Sequence, residues 1–340
     1  MKSLCSNTRS VVSLFHLSLL LVSASLPSLT LSSSVRCNPH DKKVLLRIKK
    51  SINNPNALLP WDPEIDCCDW DYIVCNPQTY RVTQLAFFQA YIPGQIPSAI
   101  GDLPYLETLS FDEVTQLNGT IPYSITKLRN LKLFRLNWTP FSGPIPEFLG
   151  QLKNLDYLDL GYNQFSGPIP ASLGDLPKLE NLYLNRNNLT GKIPDSLGKL
   201  KSNLTWFDLS HNQLSGKIPK SLGEMNSKAI ILSNNKLVGD ASMVFKAKGT
   251  TEQIDLSLNQ FDFDVSRVRF PKTLTYLDLS HNRIRGSIPK QVTELNLQFM
   301  NVSYNRLCGK IPVGGTLQQF SVDSFVHNKC LCGTPLPKCK

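Results

Sequence analysis

Between Cys75 and Cys308 the 340-residue chain contains no cysteine, a gap of 232 residues. Whatever its cysteines hold together therefore lies at the two ends. Histidine is almost as scarce. After His16 there are only His40, His211, His281 and His327, and none belongs to an H-E-x-x-H pair. The chain also lacks a G-x-S-x-G elbow and a phosphate loop, which removes the zinc-protease, serine-hydrolase and P-loop classes. No long apolar run is present either. The stretch Val11 to Val22 is interrupted by His16 and two serines, and a membrane span needs about 20 apolar residues.

That short run, preceded by Lys2 and Arg9 and followed by small residues, reads as an export signal. Residues 1–34 are expected to be removed, with cleavage between Ala24 and Val35 and nearest to Ser34. The mature chain is then free of the membrane and extracellular. Cys5 leaves with the signal, so eight cysteines remain: Cys37, Cys67, Cys68, Cys75, Cys308, Cys330, Cys332 and Cys339. An even count in a secreted chain points to disulfides, although eight cysteines allow 105 connectivities. Zinc is the rival reading, but C-C-x6-C lacks the paired C-x2-C hooks of a structural site. No metal or cofactor is expected. The formal charge of +10 falls to +8 without Lys2 and Arg9. No aromatic-basic nucleic-acid signature accompanies it, so an acidic partner or extracellular polyanion suits it better.

What the chain has in abundance is a pattern. L-x-L-x-x-N-x-L-x-G-x-I-P recurs ten times, with its first apolar position at Leu85, Leu109, Phe134, Leu158, Leu182, Phe207, Ile230, Ile254, Leu277 and Met300. Two apolar residues two apart, such as Leu158 and Leu160, point the same way from a short strand. Five residues after the first apolar position stands Asn163, Asn187, Asn212, Asn235, Asn259, Asn282 or Asn305. Such an amide can bond backbone groups left unpaired where the chain turns off the strand. Gly167 or Gly191 permits a bend, Ile-Pro makes an extended return, and a further pair such as Leu173 and Leu176 covers the outer side from a short helical turn. One unit cannot bury its own apolar faces, but ten stacked units make a continuous core.

The expected fold is an α/β leucine-rich repeat solenoid. It has a concave parallel sheet, short 3-10 or helical turns on the convex side, and disulfide-bonded caps. The expected boundaries are 35–80 for the N-terminal cap, 81–312 for the repeats and 313–340 for the C-terminal cap. The helix of the first cap, "DKKVLLRIKKSI", carries Lys42, Lys43, Arg47, Lys49 and Lys50. The pattern weakens in repeats one to three, which lack the Asn. It weakens again at 239–253 and 261–271, where the Gly-Ile-Pro return is lost and a locally different outer side is expected.

Alternation places three residues per strand on the concave face. The candidate contacts for a protein partner are Arg135, Trp138, Tyr157, Asp159, Tyr162, Tyr183, Arg186, Trp206, Asp208, His211, Asp255, Tyr276, Asp278 and His281. Exposed aromatics at this density resemble an interface. Asp208 with His211, and Asp278 with His281, twice repeat a carboxylate three residues before an imidazole. Their columns are shared with Tyr183 and Arg186, so they read as products of the repeat and not as an acid and a base. Adjacent Asp255 and Asp278 lie on an open sheet without the walls of a glycosidase cleft, so no enzymatic activity is expected. Five glycosylation sequons occur, at Asn118, Asn137, Asn188, Asn203 and Asn301. Asn137 and Asn301 fall on the concave face, so either those two remain bare or the functional zone lies between them, in repeats four to nine.

The unit "LDLGYNQFSGPIPASLGDL" resembles the plant-type extracellular leucine-rich repeat. Together with "RCNPHDKKVLLRIK", "CCDWDYIVC", "GDASMVF", "MNVSYNRLCGKIPVGGTLQQF" and "NKCLCGTPLPKC", the chain resembles plant polygalacturonase-inhibiting proteins over about residues 35 to 340. The resemblance implies a cell-wall defence protein that binds secreted microbial endopolygalacturonases through its concave face, and a monomer is expected. Loose attachment to pectin fits its positive charge. The resemblance further implies the pairings Cys37–Cys67, Cys68–Cys75, Cys308–Cys330 and Cys332–Cys339. The same family pattern is shared by a cold-induced ice-binding protein and by floral proteins, and the alternative reading is a ligand-binding or signalling module acting with a membrane receptor in defence or development. For ice binding the serine column Ser210, Ser233, Ser257, Ser280 and Ser303 would have to offer a regular polar array.

Overall fold

The computed structural model describes residues 36–200 and 204–340. The expected export segment 1–34 and the sequon at Asn203 lie outside the described residues.

Each repeat contributes one short strand, from Val82–Phe88 in the first to Phe299–Asn301 in the tenth, and these ten run parallel in chain order. An eleventh strand, Ile73–Cys75 from the N-terminal cap, pairs antiparallel with the first repeat. The register advances by whole repeats, so Leu158 lies opposite Leu182 and Leu182 opposite Phe207. All three are fully buried. Each such side chain removes about 1.5–3 kcal/mol of apolar exposure only because a neighbouring unit covers it.

The asparagines perform the expected bonding, and they also stitch one repeat to the next. The Nδ2 of Asn212 donates to the carbonyl of Leu209 at 3.2 Å and of Ser210 at 3.1 Å in its own repeat. It donates to Leu184 of the preceding repeat at 2.9 Å, while its Oδ1 accepts the amide of Leu189 at 3.0 Å. In repeat three, where Asn is missing, the hydroxyl of Thr139 donates to Asn163 Oδ1 at 2.7 Å and so joins the ladder from below.

Past the ladder the chain turns at a glycine such as Gly167, whose φ of 78° is costly for any residue with a Cβ. The return segments then pair with each other. Ser142–Pro144, Gln164–Pro168 and Asn188–Thr190 form one three-stranded parallel sheet, and two more follow along the same flank. The sequence pattern marks these segments as extended but does not reveal their pairing. On the outer side each repeat makes a 3-10 turn such as Ala171–Asp175, which buries Leu173. Gly174 is needed there for space, since a Cβ would stand 2.2 Å from the carbonyl oxygen of Ser196 in the next turn.

Repeats seven and eight do change their outer side. Their turns shrink to Ser242–Val244 and Val265–Arg267, and Phe245, Phe263 and Phe270 fill the space. The ring of Phe245 lies 6.1 Å from that of Phe263 and 5.2 Å from that of Phe270.

Both ends are closed. The helix Pro39–Ser51 begins at Asn38, whose side chain accepts the amide of His40, and buries Val44, Leu45 and Ile48 against the first repeat. Its Asp41 is buried and grips the Arg81 guanidinium at 2.8 and 2.9 Å and the Val82 amide at 2.9 Å. Disulfides join Cys37 to Cys67 and Cys68 to Cys75 at this end, and Cys308 to Cys330 and Cys332 to Cys339 at the other. The four N-terminal sulfurs cluster within 4.8 Å, a grouping that could suit a metal, but each is bonded to another sulfur.

Candidate protein-binding face

The residue before each ladder asparagine has positive φ, such as 53° at Tyr162 and Arg186, 54° at His211 and His281, and 52° at Tyr304, and so does Trp138 at 50° before Thr139. This left-handed turn is unfavourable for large side chains. It is held because the next amide ties the turn to two repeats at once. The turn sets these side chains on the rim of the sheet, where the large ones in adjacent repeats stack. Trp138 lies over Tyr162 with centroids 4.0 Å apart, and the Arg186 guanidinium sits 5.1 Å above Tyr162. Trp138 remains half exposed.

On the sheet itself the N-terminal half is built around Arg135. Its Nη2 donates to the Tyr157 hydroxyl at 2.8 Å, its Nη1 is 3.6 Å from Asp112, and its Nε is 3.3 Å from Asp159. The guanidinium also lies 5.1 Å from the Tyr157 ring centroid. Asp159, read from the sequence as an outward contact, is only 6% exposed. Arg135 and the tyrosines beside it are large enough to cover a short side chain in the middle column. Burial pushes the Asp159 carboxyl up to about 6, against the Gly161 amide and the charge of Arg135, which act to lower it. Tyr157, Tyr183 and Trp206 follow one another at 5.5 and 6.3 Å. With Arg135, Asn185 and Asp208 they line an open hollow of about 430 Å³.

In the C-terminal half the acids stand apart from the imidazoles. Asp208 Oδ1 accepts the amide and hydroxyl of Ser210 at 2.9 and 2.7 Å, and Asp255 does the same with Ser257 at 3.0 and 2.7 Å. Asp278 accepts the Ser280 amide at 2.9 Å. His211 instead meets the Asn234 amide through Nδ1 at 2.7 Å, and His281 stacks on Tyr304 at 4.1 Å. Burial raises the Asp208 and Asp278 carboxyls and lowers the His211 imidazole. The serine column also departs from the expected regular surface array. Ser210, Ser233, Ser257, Ser280 and Ser303 are all buried. The hydroxyls of Ser210, Ser257 and Ser303 turn back to the side chain two residues earlier.

Comparison with known proteins is consistent with this architecture. Residues 38–76 match the leucine rich repeat N-terminal domain family, and 146–189, 203–225 and 273–295 match leucine rich repeat families. A polygalacturonase inhibitor of Vitis vinifera is 57% identical over 309 residues, spanning 91% of this chain and 93% of the relative. The chain belongs to the polygalacturonase inhibitor family. The leucine-rich repeat protein FLOR 1 of Arabidopsis thaliana is 53% identical over 312 residues, spanning 92% of this chain and 95% of that one. Among solved structures, a plant ice-binding protein superposes with a TM-score of 0.87 at 45% identity, covering 90% of this chain and 99% of that one.

On this inhibitor-family scaffold the structure brings Arg135, Tyr157, Asp159, Tyr183, Trp206 and Asp208 around one hollow, and sets Trp138, Tyr162 and Arg186 on its rim. Asp255, Tyr276, Asp278 and His281 form a separate group farther along the sheet. Of the sequons, Asn118 and Asn188 are exposed, whereas Asn137 and Asn301 are half-buried in or beside concave strands. One functional-looking rung is missing from the sequence reading. Asn328 continues the ladder, donating to Val302 at 3.0 Å and Phe325 at 2.9 Å, and His327 before it has φ 57°. The signal was present in "FVHN", but Asp323 occupies the slot where the pattern demands its first apolar residue.

Proposed function

We propose that this chain is an extracellular inhibitor that binds microbial endopolygalacturonases through its concave face and obstructs their substrate cleft. The observation that carries this reading is the run of partly exposed aromatic and charged side chains along one sheet, in a chain so similar to curated polygalacturonase inhibitors. Ten strands at about 4.8 Å spacing give a face roughly 43 Å long. A specific interface covers about 800 Å² per partner, and a face of that length supplies much of it. The residues proposed to carry the contact are Arg135, Trp138, Tyr157, Tyr162, Tyr183, Arg186, Trp206, Asp208, His211, Asp255, Tyr276, Asp278 and His281. Asp159 supports them from below by holding Arg135. The chain acts by binding as a monomer, and catalysis has no part in this reading.

The setting proposed is the plant cell wall, reached through the export signal at 1–34, with exposed Lys43 and Lys50 of the capping helix favouring loose attachment to pectin. Asn118 and Asn188 are the proposed glycan carriers, since both point to water away from the concave face. Mature protein added in micromolar excess to a panel of fungal endopolygalacturonases should suppress release of reducing ends from polygalacturonate. Full activity of every enzyme in the panel would refute the reading. The 45% identical ice-binding structure favours a second function, for which thermal hysteresis is the assay. The buried serine column weighs against it.

A further inference from the structure

The concave face does not stop at the tenth repeat. Val302 N–H donates to the carbonyl of Ser324 at 2.8 Å, as Leu279 does to Asn301. Tyr304 and Asn305 likewise bond to Val326 and His327. This backbone register carries three columns into the C-terminal cap. Val322 takes the place after Tyr276 and Phe299, Ser324 the place after Asp278 and Asn301, and His327 the place after His281 and Tyr304.

The outcome is a trough with two apolar walls. Along one side Tyr276 stacks on Phe299 at 4.4 Å, and Val322, next in the backbone register, opens the 3-10 turn Val322–Ser324 of the cap. Along the other, His281, Tyr304 and His327 stack at 4.1 and 4.2 Å. Phe299 is 36% exposed, Val322 45% and Tyr304 46%, so these apolar groups stand open to a partner. The floor is Asp255, Asp278, Asn301 and Ser324, and neither aspartate has an ion-pair partner among the described residues.

Several other charged groups near the sheet are paired internally. Arg135 neutralises Asp112 and Asp159 in the N-terminal half. The strand starts carry their own pairs, Lys132 with Glu107 at 2.6 Å and Lys228 with Glu252 at 3.8 Å. The trough combines uncovered rings with two carboxylates that have no ion pair among the described residues. Its complement is a segment with a cationic tip between apolar side chains, because aromatic walls and carboxylates together favour a lysine or arginine.

We infer that this trough receives a protruding loop of the polygalacturonase carrying a lysine or arginine, so that the footprint of the inhibitor runs past repeat nine onto the C-terminal cap. The inference rests on the function proposed above and extends it beyond the zone bracketed by the two concave sequons. Asn301, on the trough floor, then has to stay free of glycan.

The test uses a polygalacturonase that the wild-type protein inhibits. Phe299→Ala removes one wall ring and Val322→Lys sets a like charge beside the incoming cation. Lys228→Ala, on the strand-start rim, is the control. Each trough variant should raise the inhibition constant about tenfold or more, the scale of an anchor residue lost from an interface, while Lys228→Ala leaves it within about twofold. Thermal unfolding checks that the variants fold, and mass spectrometry of the tryptic peptide should find Asn301 bare. Folded Phe299→Ala and Val322→Lys proteins that inhibit like wild type would overturn the inference while leaving the inhibitor function standing. A glycan on Asn301 in protein that still inhibits would do the same. If the wild-type protein inhibits no enzyme at all, the underlying function is refuted and this inference falls with it.

Discussion

Replacing Asn187 by alanine tests the asparagine ladder at its second rung. The Asn187 Oδ1 accepts the amide of buried Phe165 at 2.9 Å, and no other acceptor serves that amide outside the regular strand pairing. Its Nδ2 donates to Leu160 at 2.8 Å and to Leu184 and Asn185 at 3.2 Å. Leu160 keeps the Asn163 amide at 3.2 Å and Leu184 keeps that of Asn212 at 2.9 Å, so the carbonyls are weakened but not orphaned. The dominant loss is one buried N–H without a partner, which costs about 1–3 kcal/mol, with roughly a further 1 kcal/mol for the weakened carbonyls. The expected destabilisation is therefore about 2–4 kcal/mol. Urea unfolding monitored by tryptophan fluorescence reads the total. Hydrogen exchange reads the location, because neighbours in a solenoid share stability chiefly across their interfaces. Amides of Phe165 and of repeats four and five should exchange faster, while those near the caps keep their protection. A loss below about 0.5 kcal/mol, the usual range of surface changes, would refute the bonding account of the ladder. So would uniform loss of protection along the chain.

The pH dependence of Asp159 has a definite sign. Its folded carboxyl is raised from the ordinary 3.8 to about 6, so the folded state holds the proton more tightly than the unfolded state. Its stabilising contribution is complete at low pH and is lost as pH rises between those two values, by up to about 3 kcal/mol at 1.36 kcal/mol per pK unit. Asp159→Asn should flatten that part of a melting-temperature profile, and an unchanged slope would exclude the assignment. Among the disulfides, removing Cys37–Cys67, with a separation of 30 residues, should cost more than removing Cys332–Cys339, with a separation of 7. Loop entropy gives about 3.6 against about 2.4 kcal/mol, measurable by denaturation of the paired serine variants. Retention of the protein on de-esterified pectin should fall sharply from low salt to about 0.1 M or more, where the screening length shrinks to about 10 Å. Retention indifferent to salt would remove the electrostatic attachment.

The repeat was legible because every unit faces the same physical problem and solves it with the same residues. Leu158, Leu182 and Phe207 are buried as their spacing requires, and Asn212 bonds the groups it was expected to bond. The convex turns, the altered repeats seven and eight and the ten concave strands were equally readable, since period and local composition encode them. Individual surface residues were less so. Asp159 shares its column with Asp208 and Asp278, yet it alone among the three has Arg135 on the preceding strand to cover it. Three of the buried serines, Ser210, Ser257 and Ser303, bond back to the side chain two residues earlier, which alternation does not convey. Asn328 escaped because Asp323 breaks the pattern while the backbone keeps the register.

The sequence by itself determined the solenoid, its length, its capped ends and the family to which it belongs, because these depend on local patterns repeated many times. The tertiary structure decided what lies side by side across repeats: the Arg135 cluster, the stacked rims, the pairing of the return strands, and the trough that runs into the C-terminal cap. Those contacts join residues about 21 to 25 positions apart. Their character depends on the sizes and charges of the particular neighbours in each column, which a repeating pattern leaves unspecified.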